Sequence, residues 1–150
     1  MNKKNETINI PKGILIFGIL EIIFSILGII SVILIIFLIN LYPNIPLFQQ
    51  LIEKYTVYDY FLLVITLILG VIGMIAGVGL LKLRSWARKL IINLAIFNIS
   101  LSILNLVLKE TTNISSIKSS FTFPMFIGWL YNLLIIGYFT NSKVKPFFDS

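Results

Sequence analysis

Polar and apolar positions fall into long blocks along the chain, with no short-period alternation. Residues 1–12 are polar, and Lys3, Lys4 and Lys12 lead into an apolar run over 13–39 that ends in Asn40-Leu41-Tyr42-Pro43. About 20 helical residues cross a bilayer, so this run predicts a first spanning helix, its surplus taken up by tilt or protrusion from lipid. A secretory signal has an apolar region of only about 7–15 residues ending in small ones, so the run reads as an uncleaved span. Three further blocks predict spans over 58–81, 87–108 and 121–140. Tyr58, Tyr60 and Phe61 form an aromatic collar at the outer end of the second.

The connections differ in character. Pro43 and Pro46 break the chain after the first span, and Asn44 is placed to cap a short helix with Pro46 in its first turn. On that helix Leu47, Phe48, Leu51, Ile52 and Tyr55 share one face, opposite Gln49, Gln50, Glu53 and Lys54, as suits a helix lying in the interface. Residues 109–120, rich in Thr, Ser and Asn, predict a second external loop. Between the second and third spans stands a basic turn, with Ser85 placed to cap the third helix. The expected fold is all-α and polytopic: a four-transmembrane-helix bundle made of two helical hairpins over 13–140, between an N-terminal segment 1–12 and a tail 141–150.

Composition narrows the chemistry. The chain has 150 residues, 58% of them hydrophobic and 12% charged, with a mean hydropathy of +1.01. Soluble domains are about half apolar and a quarter charged, so a water-soluble fold is excluded. Barrel strands would alternate over about ten residues, whereas these apolar runs are continuous and longer. There is no Cys or His, which removes disulfides, thiol catalysis, most zinc sites and imidazole acid–base chemistry. Glu21, Glu53, Asp59 and Glu110 lie at scattered depths and form no carboxylate pair, and no Gly-rich loop follows a strand. Neither catalysis nor a cofactor is expected.

The net charge of +6 raises nucleic acid as a partner. The cations flank apolar runs and form no long basic block, so orientation in the bilayer and anionic lipid headgroups explain them, not nucleic acid. One side of the predicted topology holds Lys3, Lys4, Lys12, the turn cations Lys82, Arg84, Arg88 and Lys89, and Lys143 and Lys145; the other holds Lys54, Lys109 and Lys118. By the positive-inside rule both termini and the basic turn face the cytoplasm, placing the protein in the cell membrane as a multi-pass chain. Lys82, Arg84, Arg88 and Lys89 then lie on the headgroup side with Trp86 at the interface. A topology anchor is preferred there over a dedicated lipid or protein site.

Within the spans, Glu21 stands out. It lies about 12 Å along the first helix at 1.5 Å per residue, where an ionisable group is costly and faces a bundle interior or a water-filled cavity. Gly18, Glu21, Ser25 and Gly28 share a stripe, and Thr66, Gly70, Gly73 and Gly77 form another on the second span. Antiparallel helices meet at equal depth, which pairs Gly18 with Gly77, Glu21 with Gly73, Ser25 with Gly70, and Gly28 with Thr66. Small residues allow close backbone approach in lipid, so the first hairpin is expected to pack tightly with Glu21 against glycine backbone. Ala95, Asn98, Ser102 and Asn105 repeat the first stripe at a constant offset, suggesting a duplicated hairpin. The same depth rule sets Asn98 opposite Asn132 and Ser102 opposite Gly128, and places Glu21, Asn98 and Asn132 in one layer.

Two readings compete for that layer. In the structural one a neutral, hydrogen-bonded Glu21 glues helices together, since desolvation favours the protonated carboxyl. In the functional one Glu21 binds a cation or passes a proton, with Ser25, Asn98, Ser102 and Asn132 along the path. The structural reading is preferred, because a single carboxyl with no second acid, His or buried Lys is a thin basis for transport.

The stretch Gly79-Leu80-Leu81-Lys82-Leu83-Arg84-Ser85-Trp86-Ala87-Arg88, followed by an Ile/Leu/Asn-rich helix, resembles the Gly-Leu-Leu-Lys…Trp-Ala-Arg turn of uncharacterised small four-helix membrane proteins of bacteria and archaea. The end, Tyr138-Phe139-Thr140-Asn141-Ser142-Lys143-Val144-Lys145-Pro146-Phe147-Phe148, is similar to their terminal Tyr-Phe/Leu-Thr…Lys-Val-Lys…Phe pattern. Those proteins often have Pro where Ser142 stands and an acidic residue where Pro146 stands. The resemblance covers the second to fourth spans; it implies a four-helix fold in a prokaryotic membrane, assigns no activity, and leaves Glu21 outside its motifs. The expected function is a non-catalytic interaction or accessory protein of the cytoplasmic membrane, partnered by a second copy or another membrane protein. A small transporter or channel using Glu21 and the Asn98/Asn132 layer is the alternative.

Overall fold

A computed structural model describes residues 10–41, 57–111 and 123–148. The interfacial helix expected after Asn44 lies outside them, as do residues 112–120 of the second external loop and residues 121–122 of the expected fourth span. The chain is an all-α, polytopic membrane protein. Its helices are α1 (Lys12–Leu41), α2 (Val57–Leu81), α3 (Ser85–Thr111) and α4 (Phe123–Thr140), followed by a short 3-10 helix at Lys145–Phe148. Three are long and apolar enough to cross a membrane, over Lys12–Leu38, Tyr60–Leu81 and Ser85–Val107. The fourth is shorter, with 18 residues; at 1.5 Å each it reaches about 27 Å, close to the roughly 30 Å of a hydrocarbon core.

The helices run unbroken because Leu and Ile fill their interiors and Pro is kept to the ends. Pro124 stands in the first turn of α4, where its missing N–H costs nothing. In lipid a polar group must find its partner within the protein, and several side chains do so on their own helix one turn back. Ser31 Oγ donates to Gly28 O at 2.8 Å, Thr66 Oγ1 to Leu62 O at 2.8 Å and Ser100 Oγ to Ile96 O at 2.9 Å. Thr140 Oγ1 donates to Ile136 O at 2.6 Å. The outward faces are apolar: Leu27, Phe61 and Leu133 are 57%, 59% and 58% exposed. Such surfaces require lipid as their solvent.

The four helices form two compact units, each an antiparallel hairpin: α1 with α2, and α3 with α4 and the tail. Ile14, Gly18, Ser25 and Val32 are the buried line of α1, and Gly73, Ala76, Gly77 and Leu80 that of α2. In the second unit α3 buries Ala87, Ile91, Leu94 and Ala95, and α4 buries Ile135 and Phe139.

The turn between α2 and α3 departs from its expected form. The helix α3 starts at Ser85, so Ser85 lies inside the first turn and Arg84 takes the capping position. The backbone N–H of Ala87 donates to Arg84 O at 3.0 Å. Leu83 holds a left-handed φ of 53°, in the position after a helix that Gly normally fills. A side chain there costs roughly 1–2 kcal/mol. The tail is ordered as well. Asn141 Oδ1 accepts from Lys143 N at 2.9 Å and Asn141 O from Val144 N at 3.0 Å, turning the chain into the 3-10 helix.

Candidate functional site

In the first hairpin the polar site is built on glycine. The seam of α1 advances through Gly18, Ile22, Ser25 and Ile29, and α2 presents Gly70, Gly73 and Gly77 to it. A Cβ placed on Gly77 would lie 3.0 Å from Gly18 O and 2.7 Å from Ile22 Cγ1. On Gly18 it would lie 3.4 Å from Gly77 O, and on Gly70 3.4 Å from Ser25 O. The two backbones therefore approach at Gly18/Gly77 and at Ser25/Gly70, at the depths that equal-depth pairing sets opposite each other.

Glu21 and Ser25 share one receiving position. A Cβ on Gly73 would be 2.5 Å from Ser25 Oγ and 2.9 Å from Glu21 Oε1. Both oxygens thus occupy the space that any larger residue would fill. Ser25 is 6% exposed, and Glu21 is half-buried. Oxygens held this close to a glycine are placed for weak contacts with its Cα–H groups, worth about 0.5–1 kcal/mol each. What the arrangement does chemically is lodge a carboxyl and a hydroxyl between two spans.

Gly28 departs from the expected stripe. No atom lies within 4 Å of a Cβ built there, so it is not a close-packing glycine and does not meet Thr66. The reason is geometric. At 100° per residue Gly28 is about 80° round the helix from Gly18, whereas Ser25 and Ile29 are each within about 20°. Thr66 is exposed and its hydroxyl is turned back to Leu62 O.

In the second hairpin Asn98 and Ser102 are half-buried on α3, and Asn132 is half-buried on α4. Asn132 Nδ2 donates to Gly128 O of its own helix at 2.8 Å. Among the described residues no hydrogen bond joins Asn98 to Asn132, so the amide pairing expected from depth is replaced by a local bond. Ala95, the counterpart of Gly18 in the repeat, is 1% exposed.

The cations of the basic turn divide into two kinds. Lys82, Arg84 and Lys89 are exposed, and Trp86 is 47% exposed. Arg88 is instead part of the second hairpin's packing: its Nε donates to Phe139 O at 2.9 Å. That carbonyl is among the last four of α4, which have no partner within the helix, so a guanidinium from the start of α3 caps the end of α4. Beneath this bond Phe139 is fully buried and packs edge-on against Phe148 of the 3-10 helix, ring centres 6.1 Å apart at 64°. Tyr138 meets Phe139 at 5.1 Å and 87°. Sequence reasoning assigned Arg88 to the headgroups and left Phe148 in a plain tail. The one available signal was an Arg one turn into a helix together with aromatic residues past the end of another.

No metal-ligating group of three or more acidic, His or Cys side chains occurs among the described residues. No protein-family model, curated protein or solved structure matches the chain.

Proposed function

We propose that the chain is a non-catalytic interaction or accessory protein of the cytoplasmic membrane, with both termini and the basic turn on the cytoplasmic side. The observation that carries this reading is the lodging of Glu21 and Ser25 at Gly73, which gives the intramembrane carboxyl a use in packing. The local bonds of Thr66, Ser100 and Asn132 fit it, since groups that satisfy their own helix do not form a relay between helices. The orientation rests on the loop charges. The turn and tail resemble those of small prokaryotic four-helix membrane proteins, which supports the membrane placement and assigns no activity.

A second reading, transport of a cation or proton through Glu21, has one observation in its favour: this acid sits inside a span and is only half-buried. Recovery from native membranes in mild detergent tests the proposal. A second copy or a distinct membrane protein is expected to remain with the chain in fixed ratio. A chain recovered alone and monomeric that gives Glu21-dependent cation flux in liposomes overturns it. Reporter fusions at Lys89 and Ile117 test the orientation, and an external Lys89 reverses it.

A further inference from the structure

The end of the second hairpin gathers charge from two distant parts of the sequence. Lys82, Arg84 and Lys89 come from the turn and first turn of α3; Lys143 and Lys145 come from the tail beyond α4. The bond from Arg88 Nε to Phe139 O fixes the start of α3 beside the end of α4. Phe148, 3% exposed and packed on Phe139, folds the tail back onto that same end. All five cations are exposed. Among the described residues from Lys82 to Phe148 the one carboxylate side chain is Glu110, at the opposite end of α3; Asp149 follows in the sequence, outside the described residues. Two large aromatic residues, Trp86 and Phe147, are 47% and 37% exposed at this end.

Five exposed cations, with no acid among the described residues at this end, attract an anionic surface. Exposed Trp and Phe beside them suit the boundary between acyl chains and headgroups, where amphipathic and aromatic groups settle. A soluble polyanion accounts for the charge but gives the two aromatics no purpose. We infer that this end of the second hairpin is an anionic-phospholipid site, assembled from the basic turn and the folded tail, with Arg88 and Phe148 holding the tail's lysines in place. The site deepens the accessory reading above by naming lipid phosphate as the partner at its basic end, and it does not depend on which side that end faces.

The test uses the full chain in nanodiscs of zwitterionic phosphatidylcholine doped with phosphatidylglycerol, counting retained anionic lipid by native mass spectrometry across a lipid titration. A cation near an anionic surface contributes about fivefold in affinity, so Lys143→Gln with Lys145→Gln is expected to weaken retention roughly 30-fold. Phe148→Ala keeps every cation and is expected to weaken it about tenfold by releasing the tail. Circular dichroism and melting of each variant in phosphatidylcholine alone confirm that the helices remain. Wild-type retention by either variant overturns the assembled site. So does displacement of the lipid by millimolar inorganic phosphate, which would make this a soluble-phosphate site. Nanodiscs expose both leaflets, so failure here is independent of the reporter result at Lys89, which bears on orientation alone.

Discussion

Gly77→Ala probes the packing of the first hairpin where it can least adjust. The added Cβ would stand 2.7 Å from Ile22 Cγ1, 3.0 Å from Gly18 O and 3.3 Å from Ile22 N. Ordinary carbon contacts lie at about 3.5–4.0 Å. Ile22 can change rotamer, but Gly18 O and Ile22 N belong to the backbone of α1, so the helices must separate by several tenths of an ångström. Separation also loosens the neighbouring contacts at Gly70 and Gly73. Overpacking of this kind costs about 1–3 kcal/mol. The usual helix advantage of Ala over Gly offsets little of it, because spans stay helical when a membrane protein comes apart in lipid. Gly28→Ala is the internal control: it adds the same methyl to the same hairpin with nothing within 4 Å, and is expected to lie within about 0.5 kcal/mol of wild type. Both are measured by reversible unfolding in bicelles, with a fluorophore pair reporting α1–α2 separation. Equal stability of Gly77→Ala and wild type, or equal losses for the two variants, would refute the seam described here.

Further outcomes follow from the same geometry. Gly73→Ala is expected to cost about 1–2 kcal/mol, because its Cβ meets side-chain atoms and no backbone, and adding Ser25→Ala should recover part of the loss in a double-mutant cycle of unfolding free energies. Arg88→Lys keeps the charge that orients the turn but not the planar guanidinium that reaches Phe139 O. It should leave reporter topology unchanged while lowering stability by about 1.5–3 kcal/mol, the range for hydrogen bonds to charged groups. Leu83→Val puts a β-branched residue at a left-handed φ, and a fall in melting temperature relative to Leu83→Asn is the expected result.

Much of this architecture is legible in the sequence because lipid imposes simple rules. Continuous apolar runs can only become helices, and the turn cations and proline-bearing ends mark where they stop. The pairing of Gly18 with Gly77 and of Glu21 with Gly73 is readable because antiparallel helices of equal rise meet at equal depth. The same arithmetic misplaces Gly28, since depth alone ignores angle, and the seam moves from Ser25 to Ile29. It also misses Asn132, whose amide finds Gly128 O one turn away before it finds another helix. The Arg88 cap and the Phe148 plug were hidden for a different reason. The Arg88 bond joins residues 51 positions apart, and Phe148 reaches back to Phe139 across a turn where the helical period has ended, so no local period encodes either contact. A charged residue near an interface also has a sufficient explanation in topology.

On the proposed function, Glu21 serves the packing of α1 on α2. The most direct test of that claim compares wild type with Glu21→Gln, a change that keeps shape and hydrogen-bonding capacity but removes the titratable group, in proteoliposomes of matched protein density. Proton and monovalent-cation flux and unfolding free energy are recorded on the same preparations. The expected result is flux at the protein-free background for both proteins and stabilities within about 0.5 kcal/mol of each other. Wild-type flux well above background that falls by an order of magnitude in a fully folded Glu21→Gln would contradict the claim and assign the carboxyl to transport.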